Sequence, residues 1–318
     1  MGKLLILMLT VICLSGCEFI PLYDLEGNVL IDIDYQLEQQ VTVRDGFDPT
    51  GVPTFSEKVH GKMPEHVQVQ FYEVGTHTLV KDEFLDAEGG MMSVTPGFYD
   101  IIIYSLETKV TQVEGTTLSG MLANTEMTHS LYSIGGYYDA ITEPDHLYLS
   151  TLENVEVLPA RDDLNTLTYV YADASSILET WTFEMLNVDG MEYIASCELY
   201  ITSQEGRAFL WGDRNGNKPG ALKISAYPDF QDKRLYSVFN TFGRYPDYRD
   251  GVSAVLKVTN TAGNEYIYEF DVTDQIDDPG NTGHNIVVDQ HFTIPDDGGT
   301  GGFEPVVDPW WDPIIVSN

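Results

Sequence analysis

Residues 89–105, GGMMSVTPGFYDIIIYS, decide the fold class. Met92 and Val94 alternate with Met91 and Ser93, the two-residue period of a strand. Pro96-Gly97 then supplies the fixed and the permissive backbone angles of a tight turn. Phe98 to Tyr104 follows, apolar at almost every position, as a strand covered on both faces must be. Two strands joined by a turn, one of them central, predict a layered β protein.

The same grammar extends in both directions. Val29 to Tyr35, VLIDIDY, alternates at its end and predicts the first strand. Residues 45–64, with Pro49, Gly51, Pro53, Gly61 and Pro64, predict a long loop. Val67, Val69 and Phe71 alternate with Gln68 and Gln70, a strand with one wet face, and Thr78 to Phe84 returns beside it. Short strands at 147–149 and 155–158 follow. Pro159 to Asp163 is polar, charged and proline-led, the best boundary in the chain. Beyond it Trp181, Phe183 and Met185 alternate, Asp189-Gly190 reads as a hairpin turn, and Cys197, Leu199 and Ile201 share a face. Residues 253–259 and 265–272 flank Ala262-Gly263-Asn264 as a second hairpin; strands at 286–288 and 291–294 end the half. Leu167 to Leu178 leaves room for a helical turn. With no sustained helical period, the pattern predicts an all-β chain of two antiparallel β-sandwich domains in tandem, 29–160 and 161–295.

Composition bounds the function. Fifty acidic residues against 16 basic give a net charge of −34, which excludes nucleic acid as a partner, because phosphates require Lys and Arg. The 12% aromatic and 43% hydrophobic content opposes disorder. No metal-ligand spacing, nucleophile elbow, phosphate loop or dinucleotide fingerprint occurs among the motifs, so the sequence offers no catalytic set and calls for no cofactor. Asp213 to Gly220 superficially suggests a calcium loop. Its glycine falls at the fourth place, and Ile224 stands where a bidentate glutamate is needed, so a turn is the better reading.

The N-terminus supplies an address. Lys3 is followed by an unbroken apolar run, Leu4 to Ile12, too short to span a bilayer and shaped like a secretory signal. Leu14-Ser15-Gly16-Cys17 resembles a bacterial lipobox. That resemblance implies a signal peptide over 1–16, a mature chain starting at a lipidated Cys17, and a tether over 17–28. Several acyl chains on one residue would hold the protein stably at a membrane. Cys13 leaves with the signal, so Cys197 is the one thiol left and no internal disulfide can form; its strand context predicts a buried, unreactive residue.

Asp296 to Gly302 is a flexible hinge. Past it, Phe303, Val306-Val307, Trp310-Trp311 and Ile314-Ile315 form an apolar, β-prone tail over 296–318. Two destinations are open to it: docking back on its own domain, or adding as a strand to the sheet edge of another chain. Trp211, Phe242, Tyr245 and Tyr248 lie in loop-like stretches and are the first candidates for a glycan platform, with core or interface packing as the plainer alternative.

The order of features resembles the fimbrillin-like lipoproteins of Bacteroidetes. The resemblance is carried by the lipobox, the Ile31-Asp32-Ile33-Asp34-Tyr35 strand, Met92 to Tyr104, and Tyr268-Glu269-Phe270-Asp271-Val272-Thr273-Asp274 ahead of a last strand ending at Pro295. It implies two transthyretin-like β-sandwich domains, export as a lipoprotein, and display on the outer membrane at the cell surface. The implied function is that of a structural, anchoring or adhesive subunit of a fimbria-like assembly, without enzymatic activity. In polymerising members an arginine-specific protease removes the first strand, and the next subunit's strand fills the groove. Arg44 is where such a cut would fall here, with residues 303–316 as a donor; a plain surface arginine beside a loop is the other reading, and the Gly/Asp hinge and paired tryptophans depart from the shaft-subunit pattern. A stand-alone glycan-binding surface lipoprotein of a polysaccharide-uptake system is the alternative.

Overall fold

In a computed structural model of the chain, the described residues are 26–296. Excepted are 38–40, 48–52, 59–62, 107, 126, 135, 161–165, 217 and 247–250. Cys17, Tyr248 and the tail residues 303–316 lie outside them. The expected all-β character is met; the one α-helix among the described residues is a single turn, α1 (Thr273–Ile276).

One sheet closes on itself. Its strands run, in order, β1 (Gly27–Gln36), β13 (Leu167–Ser176), β12 (Tyr148–Val157), β7 (Gly97–Ser105), β4 (His66–Glu73), β5 (Leu79–Asp86) and β6 (Gly89–Val94). Closure is thin at two seams: β5 meets β6 through the pair Asp86–Gly89, and β12 meets β13 through Tyr148–Ser176 and Leu149–Ser175. Between those seams the two sides are laddered firmly, β13-β1-β6 on one and β12-β7-β4-β5 on the other. The result is a closed barrel, which corrects the open sandwich expected of this half. Val29, Ile31, Ile33, Val69, Phe71 and Ile101 fill it.

A second unit places two sheets face to face. The six-stranded one runs β10 (Met127–Ile134), β11 (Gly136–Thr142), β17 (Pro219–Ser225), β15 (Ile194–Glu205), β20 (Ser253–Asn260) and β21 (Glu265–Asp271). The four-stranded one runs β18 (Tyr227–Asp229), β19 (Arg234–Thr241), β14 (Glu179–Asp189) and β22 (Asn285–Thr293). Trp181, Phe183 and Met185 from one sheet and Cys197, Leu199 and Ile201 from the other belong to one core, as their alternation requires. Smaller pieces are a three-stranded sheet of β8 (Gln112–Glu114), β9 (Leu122–Asn124) and β16 (Arg207–Phe209), and the ribbon β2 (Val41–Phe47) with β3 (Pro53–Lys58).

A single cut at residue 160 does not separate these sheets. β13, beyond the cut, lies parallel to β1 in the barrel, and β10 and β11, before it, belong to the six-stranded sheet. Residues 167–176 form a strand, not a helical turn, with Val170, Ala172 and Ala174 inward and Tyr169 and Tyr171 outward. Asp189-Gly190 joins strands of different sheets through a short 3-10 turn rather than a hairpin. Pro96-Gly97 likewise links strands that do not pair, β6 and β7. The expected long loop at 45–64 contains β3, and the expected wet face of β4 is covered. Gln68 and Gln70 are buried, and Gln70 accepts a 2.8 Å bond from the Tyr72 hydroxyl.

Candidate functional site: the first strand and its seat

β1 sits between two neighbours, parallel to β13 from Asn28–Leu167 to Gln36–Ser175 and antiparallel to β6 from Gly27–Val94 to Asp32–Gly89. Its sequence alternates because one side faces the core: Val29, Ile31 and Ile33 are buried, while Asn28, Asp32 and Asp34 are exposed. Full burial of each such side chain contributes roughly 1.5–3 kcal/mol. Tyr35 closes the row. Its ring meets Tyr148 edge-on at 5.5 Å, and its hydroxyl donates 2.9 Å to the Ala87 carbonyl.

Gly89 shows how tightly β1 is held. It has φ +98°, and a Cβ built there would lie 2.1 Å from the Ile31 carbonyl oxygen. Only glycine permits that backbone-to-backbone approach. Arg44 stands eight residues past the end of β1, in β2, where its backbone pairs with Phe55. That ribbon is a separate sheet from the barrel.

On the far side of the barrel, β4 and β7 turn Tyr72, Ile102 and Tyr104 outward into a third apolar cluster. Leu118, Met121 and Ala123 cover them, together with Ala208 and Leu210 from the stretch after β15. This covering explains why β7 is apolar on both faces: Ile101 and Ile103 face the barrel core, and Ile102 and Tyr104 the joint. Burial, with the nearby Asp82 adding to it, pushes the Tyr72 phenol up to about 12, so it stays a neutral donor at physiological pH.

The aromatic candidates for a glycan platform separate here. Trp211 and Phe242 pack against this joint cluster, and Tyr245 is half-buried, its backbone N–H donating 2.9 Å to the Ser203 carbonyl. Trp211→Ala is accordingly expected to lower stability by about 2 kcal/mol, less than a fully buried tryptophan would cost. Urea denaturation checks this, and an unchanged midpoint would contradict the packing role.

Cys197 is buried in the second core, and burial, reinforced by Glu198, pushes its thiol up to about 12. A thiol that stays protonated in a closed core is inert. In a chain beginning at Glu18, Ellman's reagent at pH 8 should therefore find essentially no thiol until guanidinium is added. Rapid stoichiometric labelling of the native protein would refute that placement.

Comparison with known proteins fits this architecture. A family profile described as "Domain of unknown function (DUF5119)" matches residues 35–241. The chain belongs to the DUF5119 family. This DUF5119 protein is 21% identical to the "Putative fimbrium anchoring subunit Fim4B" of Bacteroides ovatus, over 79% of this chain and 84% of the relative. A solved "putative adhesin" from the same species shares the fold, with a TM-score of 0.57 and 19% identity. The alignment covers 87% of this chain and 98% of that one. The fimbrial anchor protein Mfa2 of Porphyromonas gingivalis aligns more loosely, at 13% identity over 78% and 84% of the two chains, with a TM-score of 0.45.

β1 and its inward residues are legible in the sequence; β13, the parallel partner, and the thin seams are not. The inward side chains of β13 include two alanines, which carry little hydrophobic signal.

Proposed function

We propose that this DUF5119 protein is a fimbria-associated surface subunit of structural, anchoring or adhesive type, carried to the outer membrane by lipid on Cys17. The observation that carries the reading is the similarity to a fimbrium anchoring subunit across most of both chains. The lipobox-like Leu14-Ser15-Gly16-Cys17 supports the lipid attachment. Metabolic labelling with a palmitate analogue tests it: the wild-type chain takes up label and Cys17→Ala does not. Equal labelling of both, or of neither, would dispose of the lipid anchor.

The barrel also supports a processing step. A cut after Arg44 would disconnect β1 from the chain while leaving every other barrel strand covalently in line. The emptied seat between β13 and β6 could accept a β-prone segment such as residues 303–316 of another subunit, main-chain bonds giving affinity and alternate side chains the register. Treatment with an arginine-specific protease should yield a new N-terminus at Asp45 and larger species on gel filtration, lost on deleting 303–318. A cleaved chain that stays monomeric would remove polymerisation and leave the anchoring role. The glycan-platform reading is not favoured, because Trp211 and Phe242 are committed to packing.

A further inference from the structure

One broad side of the barrel is covered by the joint cluster; the opposite side, made by β6, β1 and β13, is open and carries side chains that the core does not use. The registers set them in rows. Met91, Leu30 and Tyr169 lie side by side across the three strands; Asp32 sits beside Tyr171 in the next row; Asp34 sits beside Asp173 in the third. Neighbours across a row are about 4.8 Å apart and successive rows about 6.5 Å, the spacings of any sheet. Met91 is 55% exposed, Tyr169 60% and Tyr171 71%, with Phe84 at 65% just before the Asp86–Gly89 seam. Gly89, opposite Asp32, adds no side chain, so the carboxylate is approachable from that flank.

Exposed apolar side chains scattered singly need no explanation, but a contiguous set marks a contact surface. Here the set is bordered by three carboxylates. Among the described residues none of the three pairs with a Lys, Arg or His; Asp34 accepts only the N–H of adjacent Tyr35, at 2.9 Å. Aromatic faces and unneutralised carboxylates side by side are complementary to a cation with an aliphatic stem. The ring face attracts the charge, worth about 0.5–1 kcal/mol at exposed sites and about 2 when desolvated, while the carboxylate pairs with it. A chain of net charge −34 also steers basic partners toward itself.

We propose that the outer face of β6, β1 and β13 docks a basic segment of another protein, with Lys or Arg side chains seated over Tyr169 and Tyr171 and paired with Asp32, Asp34 and Asp173. The proposal concerns the chain that keeps β1, because a cut after Arg44 would carry Asp32 and Asp34 away with that strand; it does not rest on the anchoring or adhesive reading, and the failure of that reading leaves it standing.

The test uses the full mature chain and three fluorescein-labelled probes: a synthetic peptide alternating Lys and Leu, its Glu-Leu counterpart, and a neutral maltoheptaose. Fluorescence anisotropy should show binding of the Lys peptide alone. Tyr169→Ala/Tyr171→Ala and Asp32→Asn/Asp173→Asn should each weaken it about thirtyfold, one desolvated contact's worth. Glu265→Gln/Glu269→Gln removes equal charge from β21, another sheet, and should change binding less than about twofold. All these positions except the control's ion-paired Glu265 are exposed and unpaired to other side chains in the fold, and melting curves confirm that the variants stay folded. No binding of the Lys peptide, unaltered binding in both face variants, or equal loss in the β21 control overturns the proposal. Maltoheptaose binding that disappears with the tyrosines would replace it with a sugar platform.

Discussion

A chain truncated to begin at Asp45 binds the dye anilinonaphthalene sulfonate strongly and loses cooperative melting of the barrel; a synthetic peptide spanning residues 26–37 restores both. The expectation follows from where β1 lies. Its inward residues Val29, Ile31 and Ile33 are in the middle of the barrel core, and at roughly 1.5–3 kcal/mol each their loss approaches the 5–15 kcal/mol that separates most folded domains from their unfolded chains. Removal also frees two edges at once, since β1 bonds both β13 and β6, and each net backbone bond adds about 0.5–1.5 kcal/mol. Exposed apolar surface with retained strands is the condition that binds such dyes. A truncated chain that melts like the intact one, with no dye signal, would mean that β1 is an appendage rather than a wall of the barrel.

Gly89→Ala is expected to destabilise the protein by about 3 kcal/mol or more, whereas Gly75→Ala costs about 1 kcal/mol. Both glycines have positive φ, +98° and +91°. They differ in surroundings: a Cβ at Gly75 meets nothing within 4 Å, while at Gly89 it meets the β1 backbone at 2.1 Å. A flexible side chain could swing aside, but a carbonyl in a doubly laddered strand cannot, so β1 or β6 must shift and give up pairing. Urea denaturation of the two variants separates the conformational cost, which they share, from the contact, which only Gly89 has. Equal costs would show that β1 is not held against β6 as closely as the geometry states.

Strand identity was readable from local pattern where large side chains alternate. Trp181-Phe183-Met185 and Tyr266-Tyr268-Phe270 point as their period requires, and Tyr99 to Tyr104 is covered on both faces, with Phe98 left exposed at the strand's start. Partnership was not readable, because it depends on contacts far apart in sequence. β1 lies against β13, with Ile31 opposite Val170, and nothing in either strand's sequence names the other. Turn chemistry misled for a related reason: Asp189-Gly190 and Pro96-Gly97 bend the chain, but a bend serves a crossover between sheets as well as a hairpin. β13 was hidden by Ala172 and Ala174 on its inner side and by tyrosines on its outer side, which reverses the usual contrast between a greasy inside and a polar outside. The same inversion is what makes Tyr169 and Tyr171 informative. Trp211 and Phe242 looked available because their local sequence is loop-like, yet the loop is pressed onto the barrel's far side.

The central claim, that this DUF5119 protein works at the cell surface in a fimbrial assembly, is tested most directly by immunogold electron microscopy of intact cells of its native host, using antibody raised against residues 26–296. The account predicts gold on unpermeabilised cells, concentrated on filaments or at their bases and absent from a strain lacking the gene. Labelling that appears only after lysis, or that covers the surface with no relation to filaments, would contradict it.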